Sequence, residues 1–267
     1  MRILAFDTAT RATAVALSLD GGCILQSRDD PAPGRRPGHA TQLLVLIVQL
    51  LERAGLGWPD VQRLAVGVGP GTFTGLRIGI ATARALAQAR SIPLVGVSTL
   101  RSLALNAAPP PAGLAGGGQE RASWQEWRSA PRSPSAAACP PAGIETVLAV
   151  LDARRGEVFA AGWPLRALEP AGAPVLGPSA MTPAAFVARA RGLRPRALAI
   201  GDGAIEFRQV LERSGLCVPP DGSELHRVSA ANHCRLAEGA PAGAPGDVVP
   251  AYLRLPDAEI ARRAAPK

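Results

Sequence analysis

The densest chemical signal in the chain is GVGPGTFTGLRIG, Gly67–Gly79, where four glycines fall within nine residues just ahead of a helical pattern. Free amides at a helix N-terminus, with the helix dipole behind them, favour an anion. Thr72 or Thr74 can cap the same amides. A Walker-type phosphate loop needs a lysine after its last glycine. The only lysine is Lys267, which excludes that reading. A dinucleotide loop needs a carboxylate about 20 residues further on, and residues 90–95 contain none. Two readings stay open: an anion-binding turn, or glycines that let backbone pass close to backbone. The second candidate is Asp7, which ends an apolar run beside Thr8 and Thr10. Such an aspartate can hold a metal-bound water near a phosphate, or tie its own turn through local hydrogen bonds.

Other chemistries find little support. His39, His226 and His233 include no H-x-x-x-H pair to bind a metal. GTFTG places Phe73 where a hydrolase elbow would place its nucleophile. Cys23, Cys139, Cys217 and Cys234 form no C-x-x-C pair, so four isolated, reduced thiols are expected. The formal charge of +8 comes from scattered arginines, which favours a solvated surface over a nucleic-acid groove. The longest apolar runs fall short of the ~18 residues that span a membrane. The run before Asp7 is too short for a secretory leader, so a cytoplasmic location is expected.

These residues must be positioned by a regular frame, and an alternation of strands and helices is legible. Strands are expected at Arg2–Phe6, Thr13–Leu19, Cys23–Ser27, Arg63–Val68 and Pro93–Val97. Helices are expected at Thr41–Arg53, closed by Gly55, at Thr74–Ala89 and at Thr99–Asn106. Ala107–Gly143 is rich in Pro, Gly, Ser and Ala, a composition that predicts a disordered insert, with Trp124 and Trp127 in a transient turn. Order resumes at Thr146. TVLAVLDARRGEVFAAGW repeats the pattern of MRILAFDTATRATAVALSL, with Asp152 in the place of Asp7, and RALAIGDGA echoes RLAVGVGPG. The chain therefore reads as a duplicated α/β protein of two similar lobes: residues 1–106, the insert 107–143, and residues 144–267, whose last segment packs back on the first lobe.

One helix is apolar around most of its circumference: Leu43–Val48 are six successive apolar residues, followed by Leu50 and Leu51. A surface helix needs only one apolar stripe. Either this helix is internal or a second face meets another protein. The small residues Gly75, Gly79, Ala81, Ala83, Ala85, Ala87 and Ala89 of the next helix permit a close helix neighbour.

MRILAFDTAT, GHATQLL, GVGPGTFTGLRIGIATARALA, GVSTL, LDARRGEVFAA and PAYLR, in that order, resemble the TsaB (YeaZ) family over Met1–Leu105, Thr146–Trp163 and the segment around Tyr252. The resemblance implies an actin/Hsp70-like (ASKHA) fold. It also implies a non-catalytic scaffold in forming N6-threonylcarbamoyladenosine (t6A) at position 37 of tRNA. The implied partners are the transferase TsaD, in a heterodimer, and the ATPase TsaE, with tRNA met only through the complex and a homodimer when alone. TsaD holds its metal partly through an H-x-x-x-H pair, and Gly96–Leu105 here has no histidine. Carried over by position, the partner surface would comprise His39, Gln42, Leu43, Leu46 and Leu50, then Thr72, Phe73, Thr74, Arg77 and Ile78. No intrinsic cofactor or metal is implied. ATP or ADP would be held weakly or shared at the interface, by Asp7, Thr8, Thr10 and Gly71. The competing readings are an independent ASKHA ATPase or kinase, using Asp7, Asp152 and the GDG at 201–203, and a metalloprotease, against which the missing histidine pair argues.

Overall fold

The computed structural model describes residues 1–108 and 143–254, apart from 21, 23, 33, 169–171 and 194–195. The expected disordered insert, with Trp124 and Trp127, lies outside the described residues. The first sheet has the order β3-β2-β1-β4-β5, formed by β1 (Ile3–Asp7), β2 (Thr13–Ser18), β3 (Ile24–Asp29), β4 (Arg63–Gly69) and β5 (Leu94–Ser98). β1, β2 and β3 form an antiparallel meander, while β4 lies parallel to β1 and β5 parallel to β4.

Strand alternation decides what each face meets. Leu4, Phe6, Val15 and Leu17 point to one side, where α1 (His39–Arg53) and α2 (Phe73–Arg90) cover them. Ile3, Ala5, Ala14 and Ala16 point to the other, against Ala230, Ala231, Cys234 and Ala237 of a helix from the far end of the chain. α1 buries Leu43, Leu46, Ile47, Leu50 and Leu51, an i, i+3, i+4, i+7, i+8 stripe. Gly55 closes it as read: its φ is +64°, and the Leu56 amide returns to the Leu51 carbonyl at 3.0 Å.

The second sheet repeats the plan one strand short, in the order β8-β7-β6-β9. Its strands are β6 (Thr146–Arg154), β7 (Glu157–Pro164), β8 (Leu176–Met181) and β9 (Ala197–Ile200), with β9 parallel to β6 as β4 is to β1. One face packs on Phe186, Ala204 and Leu211, carried by α4 (Pro183–Arg189), α5 (Asp202–Glu206) and α6 (Arg208–Arg213). The other face packs on Leu100, Leu103 and Ala104 of α3 (Thr99–Ala104), which directly follows β5.

The two halves therefore exchange helices. α3 leaves the first sheet to cover the second, and α7 (Ala230–Glu238) leaves the second half to cover the first. A boundary at Asn106 leaves α3 with the first lobe in sequence but on the second sheet in space. α3 and α7 meet where they cross: Asn232 Nδ2 donates to the Ser102 carbonyl at 3.0 Å and to Asn106 Oδ1 at 2.7 Å. This duplicated, two-sheet α/β arrangement is the actin/Hsp70-like fold. One expectation is corrected: Cys217 is disulfide-bonded, so the cysteines are not four isolated thiols. Cys234 is a free, buried thiol whose pKa burial pushes up to about 12. Among the described residues no helix is long and apolar enough to cross a membrane.

Candidate functional site

The glycine loop resolves first. The Thr72 side chain does not cap α2, although Thr72 stands at its N-cap. Its amide instead donates to the Ala9 carbonyl at 2.7 Å, and Thr8 Oγ1 donates to the Gly75 carbonyl at 2.7 Å. The first turn of α2 thus lies directly on the β1–β2 turn. A Cβ on Gly71 would sit 2.3 Å from the Ala9 carbonyl oxygen, and one on Gly75 2.0 Å from that of Thr8. Real Cβ atoms do not approach backbone so closely, so of the two readings of these glycines the geometry favours backbone passing backbone.

Asp7 is likewise turned to internal use. It is 1 % exposed and accepts hydrogen bonds from the Ala9 amide (2.7 Å), Thr99 Oγ1 (2.7 Å) and His233 Nε2 (2.9 Å). On the far side of the ring, His233 Nδ1 lies 2.8 Å from Ser102 Oγ and 3.0 Å from the Ser229 carbonyl. Burial alone would raise the Asp7 carboxyl, but the His233 imidazole and the Ala9 and Thr99 donors hold it below its ordinary value. Asp7, His233 and Ser102 form an acid–imidazole–hydroxyl chain, but all three are inaccessible. A substrate cannot reach the hydroxyl, so the arrangement ties β1, α3 and α7 together and activates no nucleophile. Gly67 is part of it, since a Cβ there would lie 1.9 Å from Asp7 Oδ2. This corrects the placing of Asp7 and Thr8 at a nucleotide: Thr8 is fully buried, and Thr10 is half-buried at the turn. Sequence reasoning missed His233 and Ser102 because 226 residues separate Asp7 from His233.

Asp152 repeats Asp7 in the second half. Asp7 Oδ1 accepts from the amide two residues on, and Asp152 Oδ1 accepts from Arg154 N at the same 2.7 Å. Asp152 is nonetheless open to the space between the lobes. There Gly71, Thr72 and Phe73 face Asp152, Ala153, Arg154 and Phe159 across a cavity of about 180 Å³, which Ala251–Arg254 close from a third side. Arg154 pairs with Asp152 at 3.0 Å. Behind it, Asp202 Oδ1 accepts the Asp152 amide at 3.0 Å, and burial raises the Asp202 carboxyl above its usual range. Among the described residues no group of three or more His, Cys, Asp or Glu is placed to hold a metal ion.

The exterior of α1 and α2 is the third region, and it needs a correction. Leu43, Leu46 and Leu50, expected to meet a partner, are 1 %, 8 % and 0 % exposed and belong to the core stripe. His39 is buried too, its Nδ1 2.9 Å from Thr13 Oγ1, and burial pulls its pKa down. The apolar groups that do face outward on α1 are Leu44, Val45 and Val48, each nearly half exposed. Gln42, Thr72, Phe73 and Ile78 are half-buried, and Thr74 and Arg77 are exposed. Of the small residues on α2, Gly75, Gly79, Ala83 and Ala87 face inward and Ala81, Ala85 and Ala89 outward.

Residues 36–125 match the family described as TsaD, tRNA N6-adenosine threonylcarbamoyltransferase. The chain is 36% identical over 159 residues, 60% of its length and 53% of the relative's, to the tRNA threonylcarbamoyladenosine biosynthesis protein TsaB of Escherichia coli. It is 36% identical over 104 residues to the protein of the same name from Haemophilus influenzae, covering 39% of this chain and 42% of that one. A crystal structure from Pseudomonas aeruginosa, described as an uncharacterized protein with similarity to peptidase YEAZ, superposes with a TM-score of 0.66 at 26% identity, over 95% of this chain and 99% of that one. The chain is similar to TsaB and YeaZ proteins. It spans about half the length of the curated TsaB proteins it matches. A second structure, YeaZ from Pseudomonas aeruginosa, superposes with a TM-score of 0.65 at 24% identity, over 94% of this chain and 99% of that one. The TsaB likeness thus rests on sequence in one part of the chain and on fold along nearly all of it.

Proposed function

We propose that this chain is a non-catalytic, cytoplasmic subunit in the formation of t6A at position 37 of tRNA. It binds the TsaD transferase through the exterior of α1 and α2, with the TsaE ATPase joining the pair and tRNA met only through the complex. The observation that carries this reading is the exposed apolar group Leu44, Val45 and Val48. It lies on the helix that GHATQLL, one of the motifs bearing the family resemblance, leads into. Three adjacent aliphatic side chains half open to water favour a partner, because burying them removes apolar surface from solvent. The same surface serves a homodimer when the chain is alone. The internal use of Asp7 and of the glycine loop supports an accessory role, with no intrinsic cofactor and any ATP or ADP held weakly at an interface.

The test is light scattering on the chain mixed with TsaD from the same organism. The wild type is expected to form a heteromeric species, and Leu44→Arg with Val48→Arg to abolish it while melting at nearly the same temperature, since both positions are exposed. A double variant that still binds TsaD with wild-type affinity would sink the reading.

A further inference from the structure

Beyond α7 the chain is pinned along the first lobe as far as Val248. Gly243 pairs with Leu94, and the Arg84 guanidinium donates to the carbonyls of Gly246 and Val248 at 2.9 and 2.8 Å. Val248 itself is buried. At Val249, 59% exposed, the character of the segment changes. The next residues cross from the first lobe to the second, held by separate contacts at the surface. The Ala251 amide donates to the Val68 carbonyl at 2.8 Å. The Tyr252 ring lies 5.4 Å from Phe73 at the start of α2, and its hydroxyl accepts from Arg77 Nε at 3.3 Å. The Arg77 guanidinium in turn stands 3.7 Å over the Phe73 ring. Arg254 reaches Glu157 on β7 at 3.0 Å. Contacts of this kind are individually weak where water reaches them.

We infer that Pro250–Arg254 is a latch. Closed, it bridges the lobes, walls the interlobe cavity and occupies Phe73 and Arg77 of α2. Open, it frees both side chains for a protein partner on the α1/α2 face. This rests on the partner reading above and adds a gate to it. Tyr252 and a partner cannot both take the exposed side of Phe73 and Arg77. Apparent affinity is therefore reduced by the fraction of molecules in which the latch is open.

The test uses the full chain and two substitutions. Tyr252→Ala removes the ring on α2, and Arg254→Ala cuts the tie to the second lobe without touching α2. Hydrogen exchange on the free protein is expected to quicken about tenfold at the Ala251 amide in both variants, with the amides of β1 and β6 unchanged. Affinity for TsaD is expected to tighten severalfold in Arg254→Ala. Unchanged exchange at Ala251 overturns the latch. So does weaker TsaD binding in Arg254→Ala, which would make the segment part of the docking surface. If the wild-type chain binds no TsaD, the partner reading and the gate fall together, and Ala251 exchange decides whether the segment still bridges the lobes as a latch.

Discussion

At the scale of single residues, the most consequential group is the buried pair of Asp7 and His233, 0 % and 1 % exposed on the imidazole and carboxylate sides. A charge removed from water is tolerated only with a partner, and deleting one partner leaves the other stranded. His233→Ala is therefore expected to cost roughly 3–5 kcal/mol at pH 7. The pH dependence follows from the direction of the Asp7 shift. In the wild type the carboxyl lies below its ordinary value of 3.8, so its stabilisation is present above that pH and lost as pH falls through the depressed folded value. In His233→Ala, burial dominates and raises the same carboxyl, so protonation relieves the variant as pH falls. Urea unfolding should show the gap between the two proteins narrowing from pH 7 to pH 5. A constant gap would mean that the histidine acts by packing alone. Only half of this site was legible in the sequence. Asp7 stood out because an acid closing a short apolar strand is a local pattern. His233 and Ser102 did not, because their role depends on α3 and α7 crossing.

At the scale of elements, α1 separates what a pattern reveals from what it hides. Its apolar excess was plain, and it left two readings open: an internal helix, or one with a second face for another protein. Which residues did which was not plain, because a run of six apolar positions fits several rotations of the helix. The sheet decides, by drawing Leu43, Leu46, Ile47 and Leu50 inward and leaving Leu44, Val45 and Val48 outside. Leu46→Arg is thus expected to destabilise the free chain by roughly 3 kcal/mol or more, since it puts a charge into a packed core. Thermal melting checks this: a variant within a degree or two of the wild type would return Leu46 to the surface. The first five strands and α1–α3 were legible because their apolar periods are regular and their ends are marked by Gly, Pro or Asp. β8 and α4–α7 were not assigned. Leu176–Met181 carries Gly and Pro inside a strand, and Ala230–Glu238 mixes polar and small residues because it packs on alanines.

At the scale of the whole molecule, the exchange of α3 and α7 makes each sheet depend on a helix from the other half. The first sheet loses the cover of Ile3, Ala5, Ala14 and Ala16 if α7 leaves, and the second loses that of Val147, Ala149 and Leu151 if α3 leaves. Arg63 on β4 adds to the tie by donating to the carbonyls of Glu238 and Ala240 at the end of α7, at 3.2 and 2.9 Å, where a helix leaves its last carbonyls unpaired. Two lobes joined only by a linker would unfold in two steps, each with its own midpoint. Lobes that trade helices share their cores, so opening one exposes apolar surface in the other and the two transitions merge. Trp58, packed against the first core, and Trp163, buried in the second, report on the two separately. In chains that keep one of these tryptophans and carry Phe at the other and at Trp124 and Trp127, urea transitions followed by fluorescence are expected to coincide in midpoint and slope. If Trp58 and Trp163 report well-separated midpoints, the crossing helices do not couple the lobes. In that case the Asp7–His233 pair would be confined to the stability of the first lobe alone.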